Sequence, residues 1–222
     1  MIHGLFIEEQ KTRFLCNVLI DGKLTECYMP SSCKLGKIVE LSGKEALLKP
    51  VKKKNARTAL AVQAIKLEDQ FIWINLADVN RTVEKQLQNN VFSFLGKRDS
   101  IKRESNFGNY KADLFIEDSK TIIEVKTVLS SDKVGIYPTD SSKRAERQLE
   151  YILELLDTNN VCYIIVALNP KTQMITINNN LRHYHELFKK CLGKGMICKG
   201  LSVKVNVDNE PVIYHNIEVI IN

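Results

Sequence analysis

Asp113, Glu124 and Lys126 are the residues of this sequence whose types and spacing best suit chemistry. Asp113 falls in a β-rich run over residues 111–116, and Glu124 and Lys126 fall in a second run over 121–128. The polar segment Glu117-Asp118-Ser119-Lys120 between them reads as a hairpin turn. With Asp118 and Ser119 at the turn, Asp113 comes directly opposite Glu124, with Cβ atoms about 4.5–5.5 Å apart. Lys126, two residues on, projects from the same face. Facing carboxylates repel, so something must neutralise them. Lys126 offsets one charge, and a hard divalent cation, Mg²⁺ (or Mn²⁺), suits the remainder, because it takes one or two carboxylates together with water and phosphate oxygens. The same pattern also fits an ordinary surface hairpin with a salt bridge. Two features favour the metal site. Charges interrupting an apolar strand are costly unless paired or used, and Glu104, a third carboxylate, lies just upstream.

The elements around this hairpin follow from hydrophobic period and turn signals. Residues 1–78 read as all-β, with runs over 14–20, 24–29, 37–41, 46–51, 58–67 and 71–75, and Asp21-Gly22 as a hairpin turn. Short strands at close intervals predict a small barrel. Near Asp78 the pattern changes. Val79, Val83, Leu87 and Val91 recur every four residues, as in a helix started by Asp78 or Asn80. A long helix is expected over 140–157, with Ala145, Leu149, Ile152, Leu153 and Leu156 on its apolar stripe. The apolar run 161–168 suits a strand covered on both faces. A helix over 181–192, a half-exposed alternating strand over 201–207 and a last strand after Pro211 complete the chain. That last alternating hairpin offers an edge at which a second copy, making a homodimer, would pair.

Composition sets the limits. The chain has 222 residues, 44% hydrophobic and 26% charged, which excludes a disordered chain and a membrane protein. Its longest apolar run is far short of the about 20 residues of a membrane span. The N-terminus lacks the pattern of a secretory signal, so a cytoplasmic location with six reduced cysteines is expected. The net charge of +6 permits a polyanionic partner.

At this point the sequence resembles a known family. Asp113 followed by Glu124-Val125-Lys126 resembles the PD-(D/E)xK nuclease core, and the chain as a whole resembles the sugar fermentation stimulation protein A family. The blocks are Arg13-Phe14-Leu15, Met29-Pro30, Asn75 to Arg81, Gly108 with Asp113, residues 123–128, and Gly135-Ile136-Tyr137-Pro138 with Arg144 and Leu149. The sequence departs from the family at Ser31-Ser32-Cys33, where Asn-Thr-Gly is usual, at Thr139-Asp140, and at Gln148, where His is usual. The resemblance implies an OB-like barrel over 1–78 and a restriction-endonuclease-like α/β domain over 79–222. It also implies DNA binding with little sequence preference. By the same likeness Asp113 and Glu124 hold the metal, Lys126 orients or activates the attacking water, and Glu104 and Gln148 assist, in a metal-dependent DNA endo- or exonuclease.

Basic residues complete the candidate site. Lys52, Lys53, Lys54 and Arg57 form a dense loop that suits phosphate contacts, or a solvated loop. Lys102 and Arg103 flank Glu104 and can seat a backbone beside the metal. Arg144 and Gln148, one helical turn apart, can reach one phosphate. Trp73 is either a base-stacking side chain or packing between domains. Two rivals to a nuclease are a non-catalytic DNA-binding regulator on the same scaffold and an OB module directed at RNA.

Overall fold

The structure is a computed structural model that describes residues 1–12, 14–30, 35–37 and 40–222, except the side chains of Lys37 and Ala77. Arg13, residues 31–33 of the divergent turn and the middle of the strand expected over 37–41 lie outside the described residues.

The N-terminal part consists of β1 (Ile2–Glu9), β2 (Leu15–Ile20), β3 (Lys23–Tyr28), β4 (Glu45–Pro50), β5 (Leu60–Leu67) and β6 (Gln70–Trp73). Strands β1 to β5 close into a barrel in the cyclic order β1-β2-β3-β5-β4, the predicted OB-like barrel, and β6 pairs onto β5. Asp21 and Gly22 both have positive φ (49° and 75°), as a two-residue hairpin turn requires. One expectation differs here, and one strand, β1, lies outside the runs read from sequence. Leu35–Lys37 is a short 3-10 helix, not the start of a strand, because the Glu9 carboxylate accepts from the Leu35 and Gly36 amides at 3.0 and 2.8 Å and curls the chain. Strand β1 carries no periodic signal, because Phe6 is its one buried side chain.

Helix α1 (Leu76–Gln86) follows, then a 3-10 segment, β7 (Ile101–Arg103), the β8 (Asn106–Phe107) and β9 (Tyr110–Lys111) hairpin, β10 (Leu114–Ile116) and β11 (Thr121–Val128). Next come β12 (Val134–Tyr137), α2 (Lys143–Leu155), β13 (Asn160–Ala167), β14 (Met174–Ile177), α3 (Arg182–Gly193), β15 (Ile197–Val205) and β16 (Pro211–Ile220). Eight of these strands form one mixed sheet in the order β12-β14-β16-β15-β13-β11-β10-β7. The strand at β16 is therefore interior, and the sheet's edges are β12 and β7. Strand β14 covers it only at Glu218–Ile220, so the outer edge of Pro211–Ile217 is not paired with a strand among the described residues.

Helix α1 starts at Leu76, not at Asp78 or Asn80. Asn75 is its N-cap position and spends its side-chain amide on Gln63 Oε1 (2.8 Å) and Asp78 Oδ2 (3.0 Å), tying β5 to the first helical turn. The boundary expected at 78/79 falls inside this helix. One apolar cluster runs without interruption from barrel residues such as Phe6, Val18 and Ile65, through Trp73 and Val79, to Ile123, Ile164 and Val203 of the sheet. Trp73 is fully buried in it and donates Nε1–H to the Asn75 carbonyl at 3.1 Å, so it packs and does not stack on a base.

The other face of the sheet holds α2 and α3 over a second cluster of Ile122, Tyr163, Ile165, Leu149, Ile152 and Phe188. Strand β13 alternates between the two clusters, as a strand covered on both faces should. Strand β15 is covered in the same way over Gly200–Val203. Ser202 is completely buried, which corrects the half-exposed strand read from its alternation. The five described cysteines are free.

Candidate functional site

The hairpin of β10 and β11 has the register expected from sequence, with Leu114 opposite Ile123 and Ile116 opposite Thr121. Asp113 stands one residue before β10, in line with Glu124. Glu124 is 2% exposed, on the face of β11 turned towards α2. A carboxylate this buried must be hydrogen-bonded. Glu124 Oε1 takes the Lys126 ammonium and, at 3.3 Å, the Gln148 amide. Its Oε2 takes the Tyr110 hydroxyl. Lys126 Nζ also donates to Gln148 Oε1 at 3.0 Å. The structure thus brings Glu124, Lys126 and Gln148 together from a strand and from α2, as the sequence suggested.

Asp113 is held from two sides. Its Oδ2 accepts from the Val125 amide at 2.8 Å, and its Oδ1 accepts from Asn80 of α1 at 3.0 Å. Burial first, and then the negative charge of Glu124, push the Asp113 carboxyl up to about 6, against the lowering effect of those hydrogen bonds and of Lys126. Burial and Glu124 also raise the Tyr110 hydroxyl far above its usual value.

Glu104 does not join this group. Its backbone amide donates to the Asp113 carbonyl at 3.0 Å, but its φ of 52° turns the side chain outward. Its carboxylate pairs with Lys111 at 2.6 Å, 72% exposed, and this partner holds it below the usual carboxylate range. Tyr110 and Asn80 are the members that sequence reasoning missed. Gly108, with φ of 58°, makes the β8–β9 turn that aims Tyr110 at Glu124. That glycine belonged to a recognised block, so it was the available signal.

The basic candidates divide into two classes. Arg57 grips Glu26 through two hydrogen bonds of 2.9 and 3.0 Å, Lys102 pairs with Glu117, and Arg103 pairs with Glu84 of α1. Lys52, Lys53, Lys54 and Arg144 have no ion-pair partner among the described residues, and all four are exposed. Beside the carboxylates, a cleft of about 350 Å³ is lined by Tyr110, Lys111, Lys143, Arg144, Arg147 and Gln148, among others. A second cleft of about 420 Å³ runs from Lys126 and Thr127 to Ser142, which caps α2 by accepting from the Ala145 amide at 3.3 Å.

The donor set suits a hard cation that keeps much of its water. Among the described residues no three His, Cys, Asp or Glu side chains cluster as a metal cage. Asp113 Oδ1 and Oδ2 and Glu124 Oε2 each accept one hydrogen bond, so each retains a lone pair. Two carboxylates with free lone pairs are what Mg²⁺ ordinarily takes from protein. No helix is long and apolar enough to cross a membrane, among the described residues.

A family model described as "Sugar fermentation stimulation protein RE domain" matches residues 77–209. The chain is 23% identical over 206 residues to a sugar fermentation stimulation protein homolog of Synechocystis sp., covering 88% of this chain and 86% of that protein. It is 26% identical over 196 residues to the homolog of Thermotoga neapolitana, covering 87% and 84%. The solved structure of Pyrococcus furiosus SfsA in complex with Ca²⁺ shares its fold, with a TM-score of 0.85 at 17% identity over 99% of this chain and 96% of that one. With three-fifths of its length under the family model, and the same barrel and mixed sheet as a solved member, the chain belongs to the sugar fermentation stimulation protein family.

Proposed function

We propose that this protein binds DNA and hydrolyses its phosphodiester bonds with Mg²⁺ or Mn²⁺ held by Asp113 and Glu124. The observation that carries this reading is the charge imbalance at the hairpin. Two carboxylates stand together, one of them pushed up to about 6, with the single ammonium of Lys126 against them. A divalent cation is the simplest cure for that imbalance. That the Pyrococcus furiosus relative was solved with Ca²⁺, another hard oxygen-seeking cation, supports it. When bound, the ion would polarise the phosphate and lower the pKa of a water molecule.

The chain's own residues supply the rest. Asn80 and the Val125 amide fix the Asp113 carboxylate, and Tyr110 fixes Glu124, so that both are preorganised. Lys126, steadied by Gln148, offers an ammonium hydrogen to a water or phosphate oxygen beside the carboxylates. Lys52, Lys53 and Lys54 on the barrel and Arg144 on α2 supply unpaired charge for the nucleic-acid backbone. The test is incubation with plasmid and single-stranded DNA in Mg²⁺ or Mn²⁺. Cleavage by the wild type and its loss in Glu124→Gln support the reading. No cleavage by the wild type, or equal cleavage by the variant, contradicts it.

One observation favours the non-catalytic rival. Every carboxylate oxygen already has a protein donor: Asp113 from the Val125 amide and Asn80, Glu124 from Lys126, Gln148 and Tyr110. A DNA-binding protein on this scaffold would show steep salt dependence of binding and no metal uptake.

A further inference from the structure

Helix α2 has an unusual first half. Lys143, Arg144 and Arg147 occupy three of its first five positions, where the positive end of the helix dipole disfavours cations. None of the three has an ion-pair partner among the described residues, and all are exposed. Ser142 accepts from the Ala145 amide through its side chain and from the Glu146 amide through its carbonyl. Glu146, the one acid of that turn, does not line the cleft. Together with Lys111, already paired with Glu104, these three cations wall a cleft of about 350 Å³. Tyr110 and Gln148, two of the three side chains that donate to Glu124, also line it. The cleft is thus adjacent to the carboxylates yet carries no carboxylate of its own among its lining residues.

Three unpaired cations at a positive helix end are poorly matched by one phosphodiester, which carries a single negative charge. A phosphomonoester carries about 1.5 to 2 negative charges and three strong acceptor oxygens. We infer that this cleft captures the phosphomonoester at the end of a nucleic-acid strand, so that cutting proceeds from phosphorylated ends. The inference deepens the phosphodiester-cutting reading and rests on it for its purpose. Arg144 and Arg147, one turn apart, supply fork-shaped donors suited to a terminal phosphate. Lys143 adds charge at the helix end, and Tyr151, further along the same helix, adds an aromatic edge to the lining.

The test is equilibrium binding of one oligonucleotide sequence in three forms, 5′-phosphorylated, 3′-phosphorylated and hydroxyl at both ends, in EDTA so that no metal chemistry enters. One phosphorylated form is expected to bind about tenfold tighter than the hydroxyl form. In Arg144→Gln/Arg147→Gln that preference vanishes, while Lys52→Ala/Lys53→Ala/Lys54→Ala weakens all forms alike and keeps it. The substituted side chains are exposed, and an unchanged thermal midpoint confirms folding. Equal affinity for the three forms, or a preference that survives the double arginine variant, overturns the inference. Loss of cleavage with the end preference intact would fault the metal reading alone.

Discussion

The two faces of β11 are built from the same eight residues to opposite ends. Ile123 and Val125 enter the apolar cluster shared with the barrel and α1, where nothing but shape and area is required. Ile122, Glu124 and Lys126 face α2, and there a carboxylate is buried as completely as its apolar neighbours. It is tolerated because Tyr110, Lys126 and Gln148 each donate to it. The barrel side of the strand thus serves stability, and the α2 side holds charge under constraint. Asp113 marks the limit of that tolerance, being half-buried beside like charge with its carboxyl raised.

The comparison is broken most decisively by exchanging one group on each face. Glu124→Gln keeps the side chain's shape and should lower metal-dependent DNA cleavage by about 10²–10³-fold or more, with a small change in thermal midpoint. The plasmid-nicking rate and a melting curve check both. Ile123→Ala does the opposite. It leaves a cavity in the barrel-side core and should cost about 2–5 kcal/mol of stability by urea unfolding, with cleavage retained while the protein is folded.

A subtler difference appears in pH. The Asp113 carboxyl is raised in the folded protein from the ordinary 3.8 to about 6. The folded state therefore holds a proton more tightly than the unfolded one, and this contribution to stability is present below about pH 4 and lost as pH rises through 6. In EDTA the effect should be roughly 1–2 kcal/mol, given that Asp113 is only partly shielded from solvent. Asp113→Asn should flatten that slope in urea titrations between pH 4 and 7. The smallest effect is expected at the rim. Arg103→Ala removes an exposed pair with Glu84 and should change stability by no more than about 0.5 kcal/mol, read from the same urea midpoints.

Much of this was legible in the residues. Local signals sufficed for the β10–β11 register, because a polar turn between two β-rich runs fixes which residues face each other. They sufficed also for β13, whose unbroken apolar run reflects burial on both faces. Gln148 was legible from its distance along α2 from the apolar stripe. Other features depend on contacts far apart in sequence. The short edge strands β7 and β12, of three and four residues, have too few positions to show a period. Strand β15 alternates in polarity yet is buried, because β13 and β16 flank it and both faces of the sheet are covered. Nothing local says that Lys102 and Arg103 meet Glu117 and Glu84, or that Glu104 turns away to Lys111. Charge content was readable, but which cations remain unpaired was not. That choice made Lys143 and Arg147 visible only once α2 was placed beside Tyr110.

Calorimetric titration of the metal-free protein with Mn²⁺ at pH 7 addresses the carboxylate pair most directly. Uptake of divalent cation by the wild type, abolished in Glu124→Gln and in Asp113→Asn while both variants remain folded, is the result expected of a cation held between these two side chains. No uptake, or uptake undiminished in the variants, would contradict it.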